Sequence, residues 1–386
     1  MSSTINNESN DIIVPDSLFE SEIQNSNDEK LKKISELSKK GYLLIKEGSY
    51  KDAVKVFEEI LSMDENNNYA LVGLGDSERK QNHFDDAIMY YTKCLTIYPN
   101  NNYALFGLAD CYKSQTQFSK AITIWQKYLE HDDKNITVIT RVADAYRKIH
   151  DFKRSKELYN KVLDIEQDNA YALIGLGHLS YDFKEYKDAL YYWNRIYEIN
   201  GDAVDIRVLT SIGNCYRKLK SFENGTSYFE KALEKEPKNF YALFGLADCY
   251  RGMNQQYKSV TYWNRILEFD PKNKVILTRA GDAYRTTGNY EKAKEYYEKA
   301  LDIDFDIYAA IGMALICKGE GKIDEAIERF KKLINDDPRN SRLYNDLADC
   351  YLAKKDKASA IKVLETYLHL DAKNLVIKST LDKINK

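Results

Sequence analysis

The chain has 386 residues, of which 44% are apolar and 30% charged. That is an ordinary balance for a protein that folds in water, at a length too great for one compact helical core. No run approaches the roughly 18–20 apolar residues of a membrane span, and the polar start "MSSTINNESN" lacks the blocks of a signal peptide, so the expected compartment is the cytoplasm. The formal charge of −3 is uneven: residues 1–29 hold seven acids and no Lys or Arg, leaving 53 acids against 57 bases in residues 30–386. A surplus this small and scattered argues against nucleic acid, which calls for a concentrated basic stripe.

In chain order, residues 1–25 are polar and acidic, and composition predicts that they are disordered. Within them "DIIVPDSLFESEI" (residues 11–23) sets Ile12, Ile13, Val14, Leu18 and Phe19 among acids, with a capping-box pair at Ser17 and Glu20. The expectation is a short segment that orders on docking. A second such pair, Ser26 with Glu29, predicts the start of the first helix.

From about residue 34 the chain repeats itself. Small residues recur every 34 positions at Ala53, Ala87, Ala121, Ser155 and Ala189. After a two-residue insertion the series continues as Gly225, Ser259, Ala293, Ala326 and Ala360, with one residue lost before Ala326. Twelve positions before each stands another small residue (Gly41, Gly75, Ala109, Ala143, Gly177, Gly213, Ala247, Gly281, Ala314, Ala348). Four positions after each comes a large one (Phe57, Tyr91, Trp125, Tyr159, Trp193, Phe229, Trp263, Tyr297, Phe330, Leu364). Each unit holds two runs of apolar residues at helical spacing around a short polar turn. Two small positions let paired helices approach, and the large residue fills the gap to the next unit. One pair cannot bury both its faces, so neighbours must stack.

The pattern resembles the tetratricopeptide repeat (TPR) family, with Pro99, Pro237, Pro271 and Pro338 at the family's position 32. The resemblance implies an all-α, right-handed superhelical solenoid of about ten TPR helix-turn-helix repeats with a C-terminal capping helix. The expected division is a disordered segment 1–25, an array 26–374 and a cap 375–386. The repeats fall at 34–67, 68–101, 102–135, 136–169, 170–205, 206–239, 240–273, 274–306, 307–340 and 341–374. The insertion "NGDAVD" after the fifth repeat predicts a change of superhelical pitch and a protease-sensitive joint. The three tryptophans stand at position 24 of alternate repeats, which predicts a duplicated pair as the building unit. The decapeptide "YALFGLADCY", identical at residues 103–112 and 241–250, then fills equivalent slots.

Little in the chain points to reaction chemistry. Cys111, Cys215, Cys249 and Cys350 share position 10, and with Cys94 and Cys317 they read as buried small hydrophobes rather than disulfides. The five histidines (His83, His131, His150, His178, His369) lack ligand or nucleophile-pairing spacing and read as surface residues. No metal, no cofactor and no catalytic residue is expected, and the protein is not expected to be an enzyme.

In the resembled family, positions 2, 5, 6, 9 and 12 or 13 of each first helix face a bound peptide. Position 2 is Tyr in five repeats, position 9 Asp in six, and position 12 basic in seven, including Arg79, Lys113, Arg217 and Arg251. The predicted groove set is Tyr69, Tyr103, Asp110, Arg141, Asp144, Arg147, Tyr171, Tyr241, Asp248, Arg279, Asp282 and Arg285. An Asp and an Arg three apart on one helix can also pair with each other and need no ligand, whereas the tyrosines offer a stacking floor. The chaperone-carboxylate clamp of some relatives is disfavoured: Asn214 would begin it, but Gly245, Val275 and Arg279 follow, and only two slots match. The implied function is a non-catalytic adaptor or scaffold for a protein or peptide partner. The alternative is a regulatory or substrate-recruiting subunit of an enzyme on a separate chain, such as a TPR-associated transferase.

Overall fold

The computed structural model describes residues 28–385. The expectations for the acidic segment 1–25 and for Ser26 lie outside the described residues. Among the described residues the chain forms 21 α-helices, one short 3-10 turn and no strand. It divides between Tyr192 and Trp193 into two compact units. The first holds α1 (Asp28–Lys46), α2 (Tyr50–Met63), α3 (Asn68–Lys80), α4 (Phe84–Ile97), α5 (Asn102–Ser114), α6 (Phe118–Leu129), α7 (Ile136–Lys148), α8 (Phe152–Ile165), α9 (Ala170–Asp182) and the start of α10 (Tyr186–Asn200). The second holds the rest of α10, the 3-10 turn Gly201–Ala203, α11 (Ile206–Lys218), α12 (Phe222–Lys235), α13 (Phe240–Gly252), α14 (Gln256–Leu267), α15 (Lys274–Thr286), α16 (Tyr290–Ile303), α17 (Ile307–Gly319), α18 (Ile323–Asp336), α19 (Ser341–Ala353), α20 (Lys357–Leu370) and α21 (Leu375–Asn385). Odd-numbered helices up to α19 begin a repeat and even-numbered ones complete it.

Each repeat is punctuated by the same two devices. Before most of the odd-numbered helices an Asn or Asp caps the new helix. The Asn67 side chain accepts from the Ala70 N–H, and Asn101, Asn135, Asn169, Asn239 and Asn273 do the same for their helices. Inside each repeat the turn places position 15 in the left-handed region. Gly48, Gly288 and Gly321 occupy it at three turns, while Asn82, Thr116, His150, Lys184, Lys220, Asn254 and Lys355 adopt it at the other seven. The N–H that follows reaches back to close the first helix, as in Gln117 to the Tyr112 carbonyl at 2.8 Å, a Schellman-type stop.

Packing within a repeat depends on its small residues. Ala53, Ala87, Ala121, Ala293, Ala326 and Ala360 are fully buried. Where Ser replaces Ala, its hydroxyl donates across the pair: Ser155 Oγ to the Ala143 carbonyl at 2.8 Å, and Ser259 Oγ to Ala247 at 2.9 Å. The position-24 rings then bridge to the following repeat. A Cβ added to Gly107 would lie 2.3 Å from Tyr91 Cζ, and one on Gly245 would lie 2.2 Å from Phe229 Cζ. Gly73, Gly175 and Gly312 meet Phe57, Tyr159 and Tyr297 in the same way. At the chain's end α21 seats Ile377 on the cluster built from Leu343, Leu347 and Leu364.

The left-handed turn predicts a stabilising substitution. Thr116 sits at φ +59 with a β-branched side chain, the poorest class for that region. Thr116→Asn, which tolerates the region without glycine's extra backbone freedom, is expected to raise stability by about 0.5–1 kcal/mol. Amide exchange along α5 and α6 reads the change; protection that stays equal or falls would contradict it.

Candidate peptide-binding face

The predicted residues lie on first helices and share their register positions, but they divide into two kinds. The tyrosines are open to solvent: Tyr103, Tyr171 and Tyr241 are 38%, 66% and 58% exposed, while Tyr69 is half-buried with its carbonyl taken by Tyr42 Oη at 3.2 Å. The acids and arginines, by contrast, are drawn together inside each unit.

Two arrangements of charge occur, one in the repeats whose position-24 ring is Tyr91, Tyr159 or Tyr297 and one beside Trp125 and Trp263. At Trp193 position 9 is His178 and position 6 of the next repeat is Ser211, so neither is built there. Where it is Tyr, its hydroxyl donates to the Asp at position 9 of its own repeat. Tyr159 Oη lies 2.6 Å from Asp144 Oδ1, Tyr297 Oη 2.7 Å from Asp282 Oδ1, and Tyr91 Oη 2.7 Å from Asp76 Oδ1. The Arg at position 12 closes the group, with Arg147 3.6 Å from Asp144 and 2.7 Å from Asp182, and Arg285 3.5 Å from Asp282. Burial pushes the pKa values of these phenols well above the ordinary range, and the neighbouring carboxylates push them further. They therefore remain neutral donors.

Where position 24 is Trp, no phenol is present and position 6 of the next repeat is not Gly. Arg141 Nη1 instead donates to Asp110 Oδ1 at 2.9 Å, and Arg279 Nη1 to Asp248 Oδ1 at 3.3 Å. The guanidinium of Arg141 lies over the Phe106 ring at 4.8 Å, and that of Arg279 lies over Phe244 and Trp263 at 5.1 and 5.7 Å. A second arginine arrives from the preceding repeat: Arg79 at 3.6 Å from Asp110 and Arg217 at 2.7 Å from Asp248. Asp110 and Asp248 are only 6% and 8% exposed, so they hold cations between repeats and do not face a ligand. Burial raises the pKa of Asp248, but Arg251 and Arg217 outweigh it and hold the carboxyl below its ordinary value.

Pairing within the face thus accounts for all eight predicted charges. The spacing of position 9 to position 12 pointed to it, whereas the partners 31 residues away in the next or the preceding repeat were not singled out. The role of Tyr91, Tyr159 and Tyr297 was also missed; its signal was that each of these rings has Asp, not Asn, fifteen positions before it.

The remaining sequence expectations concern chemistry. All six cysteines are free and buried, and burial pushes Cys111, Cys215 and Cys249 up to about 12. The histidines are exposed. Ligand atoms of Glu78, His83 and Asp86 lie within 4.8 Å of one another at the α3–α4 turn, a surface contact in which His83 Nδ1 is 2.7 Å from Glu78 Oε2. A cleft of about 610 Å³ opens beside Tyr257, Tyr284 and Tyr290, and none of the predicted groove residues lines it.

Family models described as tetratricopeptide repeat match residues 38–102, 78–140, 136–169, 206–239, 228–260, 276–307 and 319–384. Together with the paired helices they show that the chain belongs to the tetratricopeptide repeat family. Among solved structures the chain is similar to MamA, at 20% identity over 44% of this chain and 91% of that one, with a TM-score of 0.41. It is similar to YrrB, titled a TPR protein with an unusual peptide-binding site, at 21% identity over 48% and 95%, TM-score 0.42. A tetratricopeptide repeat protein from Parabacteroides merdae aligns at 15% identity over 74% and 99%, TM-score 0.40. No curated protein matches the chain. Among the described residues no helix is long and apolar enough to cross a membrane.

The Asp248 cluster yields a pH-dependent prediction. Asp248→Asn removes the one carboxylate that, among the described residues, lies within ion-pair distance of Arg217, Arg251 and Arg279, and is expected to destabilise the second unit by about 3 kcal/mol at pH 7. A carboxyl depressed by folding contributes stability that is complete above the unfolded value near pH 4 and disappears as the pH falls through the folded value. The gap between wild type and variant should therefore close below about pH 4 in urea titrations. A gap independent of pH would contradict the assignment.

Proposed function

We propose that this protein is a non-catalytic adaptor that holds an extended peptide segment of a partner protein along its first-helix faces. The observation that carries the reading is the exposed tyrosine at position 2 of alternate first helices, α5, α9, α13 and α17. Tyr103, Tyr171, Tyr241 and Tyr308 stand open, while the acids beside Tyr103 and Tyr241, Asp110 and Asp248, are already paired with arginines. Large aromatic side chains left in water on a rigid scaffold are the residue type that dominates binding energy at interfaces. The paired charges tie neighbouring first helices to one another, Arg141 to Asp110 in the first unit and Arg279 to Asp248 in the second. A reducing compartment, the cytoplasm, suits six buried free thiols.

The reading is tested by affinity capture with the full chain, compared with the Tyr103→Ala/Tyr241→Ala variant. A partner retained by wild type should lose roughly 5–30-fold in affinity for each ring removed, and helical content should be unchanged. A partner captured equally by both, or turnover by the purified chain alone, would overturn it.

A further inference from the structure

The two copies of "YALFGLADCY" have matched surroundings that differ at three informative positions. Arg79 and Arg217, and Arg141 and Arg279, stand 138 residues apart, as the decapeptides do. At the same offset Asp76 becomes Asn214, Tyr91 becomes Phe229, and Lys113 becomes Arg251. The first two changes belong together, because the Asp76–Tyr91 hydrogen bond disappears as a unit. Their consequence is electrostatic. Arg79 shares its charge between Asp76 and Asp110, at 3.3 and 3.6 Å, whereas Arg217 meets the neutral Asn214 Oδ1 and has Asp248 alone. The third change adds a guanidinium, since Arg251 Nη2 reaches Asp248 Oδ1 at 2.7 Å.

Around Asp248 three cations therefore share one carboxylate. Arg217 at 2.7 Å, Arg251 at 2.7 Å and Arg279 at 3.3 Å have no other ion-pair partner within 4.0 Å among the described residues. The two oxygens of Asp248 already accept from all three, which leaves a surplus of two positive charges and several unused N–H donors. The Arg251 and Arg279 side chains remain 48% and 32% exposed. Burial pulls the pKa of Arg279 below its ordinary value; Asp248 and Asp282 pull it upward, while the neighbouring Arg251 and Arg217 reinforce the fall. Two turns back along α13 stands the exposed Tyr241, and Val275 is exposed at the start of α15.

We propose that this cluster is a receiving site for an acidic side chain of the bound peptide, so that the partner segment pairs a carboxylate at Arg251 and Arg279 with an apolar residue at Tyr241 and Val275. The inference rests on the peptide-binding reading above and adds the chemistry of the peptide. A guanidinium with a free edge is well matched to a carboxylate, which it can grip through two parallel hydrogen bonds. A surplus confined to two charges suits one acidic residue. It does not suit a phosphate backbone, which calls for a long basic track.

The test is selection of a random twelve-residue peptide library displayed on phage against the full chain. The variants are Arg251→Gln/Arg279→Gln, which leaves Arg217 and Asp248 as a one-to-one pair, and Arg251→Lys/Arg279→Lys, which keeps the charge. Selected peptides should combine Asp or Glu with a nearby aromatic or aliphatic residue. They should bind the Gln variant at least about tenfold more weakly and the Lys variant within a few-fold of wild type. Circular dichroism and amide exchange of each variant establish that the fold is intact. Enriched peptides that are neutral or basic, or acidic ones held equally by the Gln variant, overturn this inference and leave the peptide-binding reading standing. Absence of any enrichment overturns both. Tight binding of a labelled oligodeoxythymidine that the Gln variant abolishes would assign the cluster to nucleic acid and overturn the proposal.

Discussion

A ring pressed against bare backbone is the contact on which the rest of this architecture depends. In five repeats the tip of a Phe or Tyr occupies the place where the next repeat's position 6 would carry a Cβ, so only Gly fits there: Gly73, Gly107, Gly175, Gly245 and Gly312. Protein interiors tolerate no such overlap and offer no void to relieve it. In these five repeats the ring therefore restricts its neighbour to Gly. After Trp125, Trp193 and Trp263 the same position holds Arg141, Ser211 and Arg279 instead of Gly, and after Phe330 it holds Asp346.

The ring also bears on charge. A Tyr ring carries a hydroxyl to the surface of the repeat, where it satisfies an Asp and leaves the adjacent Arg to close the group. A Phe ring cannot, and Phe229 accordingly has Asn214 rather than Asp fifteen positions earlier. At Trp125 and Trp263 the Asp goes instead to an arginine from the next repeat, whose guanidinium lies over the neighbouring aromatics. Packing and electrostatics on this face are thus one problem with three solutions. Tyr103, Tyr171, Tyr241 and Tyr308 at position 2 stay exposed beside it.

The periodic small residues, the large residue four positions on and the helix-breaking turns were legible in the sequence because each follows from a local geometric need that recurs every 34 residues. The left-handed turn was legible only where Gly marks it, at Gly48, Gly288 and Gly321; at Thr116 or Lys184 nothing in the residue type announces it. The face was half legible. Its rows were visible, yet the depth of Asp110 and Asp248 was not, because their partners arrive from neighbouring repeats about thirty residues away. Coupling between position 24 and positions 6 and 9 is a relation between residues rather than a property of any one of them, and a reading of each row by itself does not reveal it.

The ring-against-glycine constraint is tested most directly by a double-mutant cycle on Gly107 and Tyr91, followed through amide exchange along α5. Gly107→Ala should cost about 1–3 kcal/mol in the wild-type chain. In a Tyr91→Leu background, where the ring tip is gone, the same change should be neutral or stabilising by up to about 1 kcal/mol, as expected for Ala replacing Gly inside a helix. An equal cost in both backgrounds would mean that the ring does not dictate its neighbour, and the account would fail.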